Sequence, residues 1–156
     1  MTWLLRRAGV DDLDAIMRIE QATFATDAWS SELMRAELGN AHTYYLVALG
    51  AEVEGYAGLL APQGAGQADI QTIAVVEGAR GQGLGRTLMH ALLSEARTRG
   101  ADEVFLEVRA DNPGAQHLYE SLGFAQIDLR KNYYQPDGVD AIIMRLAMPA
   151  PTVVTA

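Results

Sequence analysis

Apolar residues recur every three or four positions in some stretches and every second position in others, and the two periods divide the chain into elements. Trp3 to Arg7 reads as a first strand. Leu13, Ile16, Met17 and Ile19 share one helical face after Asp11 and Asp12, either of which can cap the helix. Ser30 or Ser31 opens a second helix with Leu33, Met34 and Leu38 at helical spacing, and Gly39-Asn40 closes it. Between them, Phe24 to Trp29 is an irregular connection whose two large aromatics are either core or the lining of a substrate groove.

Period-two patterning takes over next. Thr43 to Leu49 and Val53 to Leu60 are β-rich runs joined by the short turn Gly50-Ala51-Glu52, and a glycine-rich loop from Pro62 to Gln67 leads into Asp69 to Val76. These three strands form an antiparallel meander. Leu88, Met89, Leu92, Leu93 and Ala96 then define the inner face of a helix from Arg86 to Arg99, which stops at Gly100. Along Glu103 to Arg109, Val104, Leu106 and Val108 take one face and Phe105, Glu107 and Arg109 the other. The helix between this strand and the one before it predicts a parallel pair in a right-handed crossover.

Asn112 before Pro113 suits the start of a helix whose buried stripe is Ala115, Leu118 and Leu122 and whose stop is Gly123. A strand from Phe124 to Leu129, a polar loop carrying Tyr133 and Tyr134, the Pro136-Asp137-Gly138 turn and a strand from Ala141 to Leu146 close the chain as a hairpin. The predicted order is β-α-α-β-β-β-α-β-α-β-β, a single α/β (α+β) domain over residues 1–148 with a mixed central sheet. The small, uncharged tail over residues 149–156 is expected to be disordered.

Chemistry concentrates where the third meander strand meets its helix. Arg80-Gly81-Gln82-Gly83-Leu84-Gly85-Arg86 holds three glycines within five residues. Glycine takes positive φ without penalty and lets a ligand approach the backbone, and the following helix puts its positive dipole end at the loop, so a phosphate-bearing anion fits there. A nucleotide-hydrolysing loop would need Gly-Lys-Ser/Thr, and a dinucleotide fingerprint begun at Gly81 would need glycine or alanine where Arg86 stands. Neither matches.

Composition narrows the partners. At 156 residues the chain is long enough for one well-packed core. The absence of cysteine removes disulfides, thiolate metal sites and a cysteine nucleophile. A formal net charge of −8 argues against nucleic acid as the main partner and permits a cationic one, such as a basic peptide or an amine, while most of the charge serves solubility. His42, His90 and His117 fit no metal spacing, so no metal is expected. No apolar run reaches membrane-spanning length and the charges Arg6 and Arg7 follow the first apolar residues, so neither a membrane nor secretion is expected and the location is cytoplasmic.

The glycine run resembles the Arg/Gln-x-x-Gly-x-Gly/Ala loop of the GCN5-related N-acetyltransferase (GNAT) superfamily, and the element order is that superfamily's. Closer still, Leu106-Glu107-Val108-Arg109, Asn112, Leu118 to Phe124, Asn132-Tyr133-Tyr134, Asp140 to Met144 and the pair Trp29-Ser30 resemble the RimI-type ribosomal-protein alanine N-acetyltransferases, over roughly residues 3 to 148. The resemblance implies acetyl-coenzyme A as cosubstrate and a protein N-terminus, the alanine of a small-subunit ribosomal protein, as acceptor, in a monomeric enzyme. Broader N-terminal or lysine acetylation, or a non-catalytic acyl-coenzyme A sensor, are the alternatives.

On this resemblance the pantetheine arm lies along Ile73, Ala74 and Val75, and the pyrophosphate on Arg80, Gly81, Gln82, Gly83, Leu84, Gly85 and Arg86. Asn112 would hydrogen-bond the cofactor, cap its helix, or both. Glu107 becomes the proton acceptor, direct or through water; by itself a mid-strand glutamate reads as an exposed residue. Tyr119 becomes the acid for the departing thiolate, where a bare reading makes it core. Trp29, Tyr133 and Tyr134 fall at the acceptor peptide. An α-amino group, roughly a tenth neutral at pH 7, asks less of a base than a lysine does.

Overall fold

The structure is a computed structural model that describes residues 2–148. Its elements are β1 (Leu4–Arg7), α1 (Leu13–Phe24), α2 (Ser31–Leu38), β2 (Thr43–Leu49), β3 (Val53–Leu60), β4 (Gln67–Val75), α3 (Leu84–Thr98), β5 (Glu103–Arg109), α4 (Pro113–Ser121), β6 (Ala125–Tyr134) and β7 (Val139–Ala147). The strands form one seven-stranded sheet in the order β1-β2-β3-β4-β5-β7-β6. All neighbours run antiparallel except β4 and β5, which are parallel.

Strand alternation sends side chains to two separate apolar layers. Leu46 and Ala48 of β2 and Val104, Leu106 and Val108 of β5 join Leu84, Leu88, Met89 and Leu92 of α3. Tyr45 and Val47 of β2 and Tyr56 of β3 point the other way, onto Leu13, Ile16, Met17 and Ile19 of α1 and Met34 of α2. Helices therefore cover both faces of the sheet, as a mixed sheet with a crossover helix requires.

Several boundaries differ from the sequence reading. Helix α3 starts at Leu84, inside the glycine run, because Gly83 caps it in the left-handed conformation and drives the Leu84 side chain into the core. Strand β6 continues through Tyr134, so both tyrosines sit on a strand and the connecting turn is confined to residues 135–138. On α4 the buried residue is Tyr119, with Ala115, Leu118 and Leu122 only half-buried, and on α2 Leu33 is exposed. Asp12 stands at the start of α1 without capping it, since its carboxylate accepts from Arg6 and from the Gly9 N–H. The tail over residues 149–156 lies outside the described residues.

Candidate active site

The central feature is a gap in the sheet. β4 and β5 pair only at Gln67, Ala68 and Asp69 against Glu103, Val104 and Phe105. Beyond that point each keeps its outer ladder, β4 with β3 to Val75 and β5 with β7 to Arg109, while the two part from each other. The register of β3 and β4 shifts between Gly58 and Leu59 and leaves Gln71 without a partner, a β-bulge two residues past the last pair. A bulge bends and twists its strand. Backbone groups of residues 70–75 that face β5 thus meet no strand, and an extended ligand can take the vacant place, as a peptide does in strand addition. Ile73, Ala74 and Val75 line that edge.

The glycine loop stands at the wide end of the gap. Gly81 and Gly83 have φ of +76° and +86°, and a Cβ at either would meet nothing within 4 Å, so the loop's outer face is open. Gly85 departs from expectation: it lies in the first turn of α3 with ordinary φ, and its Cβ would make an ordinary 3.5 Å contact with Leu118. The N–H groups of a helix's first turn have no intrahelical acceptor, so Leu84, Gly85 and Arg86 offer donors at a positive dipole end. Arg80 Nε donates to the Val75 carbonyl at 3.0 Å, and Arg86 Nη2 donates to Ser121 Oγ at 2.8 Å. Both guanidinium groups are thereby fixed beside the loop. Leu84 can contribute only backbone, since its side chain is core.

Two candidate catalytic groups lie on opposite faces of the sheet. Tyr119 is 7% exposed and packs edge-on to Phe124 in the α3/α4 layer. Burial pushes its phenol up to about 12, so it stays protonated across the physiological range. Its hydroxyl has no hydrogen-bond partner among the described residues, yet it is not one of the enclosed unpartnered atoms, which are Trp3 Nε1 and Asp27 Oδ1. It therefore touches open space. Glu107 is exposed on the other face, opposite Val104, Leu106 and Val108.

Around Glu107 the structure gathers groups from three strands. Tyr133 is held above the ordinary phenol range, first by hydrogen bonding to the Glu107 carboxylate, then by burial and Glu107's charge. Tyr134 is pushed up to about 12 by burial and then by Glu107. The two rings meet edge-to-face with centroids 5.2 Å apart. Asp69, paired in register with Phe105, shares the face of Glu107; exposed overall, its carboxyl is nonetheless partly desolvated, and it is raised by that desolvation and then by Glu107's charge.

Other expected residues have local duties. Asn112 Oδ1 accepts from the Ala115 N–H at 3.1 Å and so caps α4. Trp29 is half-buried against the α1/α2 layer, and its backbone N–H donates to Glu20 at 3.0 Å. Glu20 is buried in α1 and also accepts from the Tyr56 hydroxyl and from Thr72 Oγ1 at 3.2 Å, fixing the Trp29 segment to β3 and β4. Asp69, Glu20 and Arg109 were absent from the sequence-based site. A signal existed for Glu20, a carboxylate four residues after Ile16 on the apolar stripe; for Asp69 there was none, because strand pairing alone brings it to Glu107.

The mixed sheet is thus parted between two parallel strands, and a glycine-rich loop opens the helix that joins them. The model of the acetyltransferase (GNAT) family matches residues 13–124, and the chain belongs to that family. N-alpha-acetyltransferase RimI of Mycobacterium tuberculosis is 38% identical over 76% of this chain and 75% of its own length. The uncharacterized protein ML0378 of Mycobacterium leprae is 38% identical over 86% of this chain, which spans 38% of that longer protein. The ribosomal-protein-S18-alanine N-acetyltransferase from Escherichia coli superposes with a TM-score of 0.87 at 32% identity, covering 99% of both chains. Arabidopsis thaliana NAA60, solved in complex with acetyl-CoA, shares the fold with a TM-score of 0.85 at 18% identity over 94% of this chain and 99% of its own. No helix among the described residues is long and apolar enough to cross a membrane.

Proposed function

We propose that this chain transfers the acetyl group of acetyl-coenzyme A to the α-amine of a protein N-terminus, the N-terminal alanine of small-subunit ribosomal protein S18. The observation that carries the reading is the parting of β4 from β5 beside the glycine loop, with Glu107 and Tyr119 on its two faces. The pantetheine arm occupies the gap along Ile73, Ala74 and Val75, and the pyrophosphate rests on the N–H groups of residues 81–86. The names and fold of the RimI relatives support the acceptor.

In this mechanism the α-ammonium gives a proton to Glu107, directly or through a water, and the neutral amine attacks the thioester carbonyl. The tetrahedral intermediate loses its second nitrogen proton to solvent and collapses to the amide and the coenzyme A thiolate. Tyr119 donates a hydrogen bond to that sulfur. Burial holds the phenol well above a thiol, whose ordinary value is near 8.5, so full proton transfer is uphill and the tyrosine stabilises the thiolate chiefly as a donor. Tyr119→Phe is expected to lower turnover on the order of a hundredfold with acetyl-coenzyme A affinity nearly unchanged, read from initial rates and calorimetry.

Asp69 gives a prediction on stability. Its folded proton affinity exceeds the unfolded one, so folding is disfavoured once pH rises above the unfolded carboxylate value, and the cost is absent below it. Asp69→Asn should therefore melt at a higher temperature than wild type near neutral pH, the difference closing as pH falls below the ordinary carboxylate range.

The decisive test mixes the protein with acetyl-coenzyme A and an alanine-starting peptide and follows thiol release. Release that needs a free N-terminus supports the proposal. Tight cofactor binding without release onto any amine would instead make the chain an acyl-coenzyme A binding module.

A further inference from the structure

Arg109 ends β5 two residues past Glu107, on the same face. Its Nη1 donates to Asp27 Oδ2, its Nη2 to Asp137 Oδ2 at 3.1 Å, and its Nε and Nη2 to the two oxygens of Asp111 at 3.0 and 3.1 Å. The guanidinium carbon lies 5.1 Å from the centre of the Tyr134 ring. These partners come from separate segments: the turn Ala25–Asp27 between α1 and α2, the β6–β7 turn, the β5–α4 connection and the end of β6. Thr26 Oγ1 donates to the same Asp137 oxygen at 3.2 Å, so the first two segments also touch directly.

We propose that Arg109 is a positioning residue for the acceptor: it fastens the α1–α2 turn to the β6–β7 turn and holds Tyr134 in place, setting the opening through which an amine reaches Glu107. This rests on the reading of Glu107 as the amine's partner. The Arg109 and Asp27 side chains are 20% and 11% exposed, so their pair is shielded from solvent, whereas Asp111, at 54%, holds the guanidinium from the solvent side through both its oxygens. The second Asp27 oxygen, Oδ1, is enclosed and unpartnered among the described residues, so the turn relies on the guanidinium for its counter-charge. A guanidinium can serve these partners at once because its donors fork in one plane; an ammonium cannot.

The test is steady-state kinetics of Arg109→Lys, which keeps the charge but loses the fork, with Asp137→Asn as a milder cut of the same link. Both variants should raise KM for the alanine-starting peptide, Arg109→Lys by about tenfold and Asp137→Asn less, while kcat and KM for acetyl-coenzyme A stay within about twofold of wild type. Wild-type peptide KM in a folded Arg109→Lys would overturn the proposal. So would a uniform fall of every kinetic constant in step with the melting temperature, the mark of a scaffold role. A wild-type enzyme that acetylates no α-amine would refute the proposed function instead, and the two failures are separate.

Discussion

Glu107→Gln should lower acetyl transfer to an alanine-starting peptide by on the order of a hundredfold, about 2.7 kcal/mol of barrier, while acetyl-coenzyme A binds as before. The amide has the shape of the carboxylate, so the surroundings survive. What disappears is the place for the ammonium proton. The deficit should shrink as pH rises from 7 to 9, because an α-amine with a pKa of about 7.7 to 8 then loses its proton to solvent unaided. Initial rates over that range, for wild type and variant side by side, check both statements. A pH-independent deficit would assign Glu107 to acceptor binding and not to proton removal.

Gly83→Val should weaken acetyl-coenzyme A binding by on the order of a hundredfold or more, measured by calorimetry. The valine has room, since a Cβ there meets nothing within 4 Å. The difficulty is the backbone: Gly83 holds φ at +86° as the cap of α3, a conformation that costs an L-residue roughly 1–2 kcal/mol and a β-branched one more. Relief of that strain turns the loop and disperses the N–H groups proposed to hold the pyrophosphate. Gly85→Ala makes the contrast. With ordinary φ and a 3.5 Å contact to Leu118, it leaves the free protein unstrained, so any affinity it loses reports how closely the ligand approaches that position.

The part of the fold visible in the sequence is the part set by local pattern. Val53–Leu60 and Glu103–Arg109 alternate or run apolar between turn residues, and their bounds in the structure are those the pattern predicts. The glycine loop was legible as the turn that opens a helix, because Gly81 and Gly83 take the positive φ that three closely spaced glycines permit. The parting of β4 and β5 was not, since it follows from a bulge at Gln71 and from where pairing stops, and neither leaves a periodic trace. On α4 the bare reading of Tyr119 as core holds, but Leu118 and Leu122, read as the buried stripe, are only half-buried because the helix is rolled towards the tyrosine. Arg109 stood in the motif that suggested the family, yet its partners Asp27 and Asp137 lie 82 and 28 residues away and meet it only in the fold.

A crystal structure with acetyl-coenzyme A bound tests the central claim most directly. The expected result is a pantetheine arm hydrogen-bonded along Ile73 to Val75 between the parted strands, a pyrophosphate on residues 81–86, the sulfur beside the Tyr119 hydroxyl and the acetyl carbon open to Glu107. A cofactor seated outside the gap, or either side chain turned away from the thioester, would contradict it.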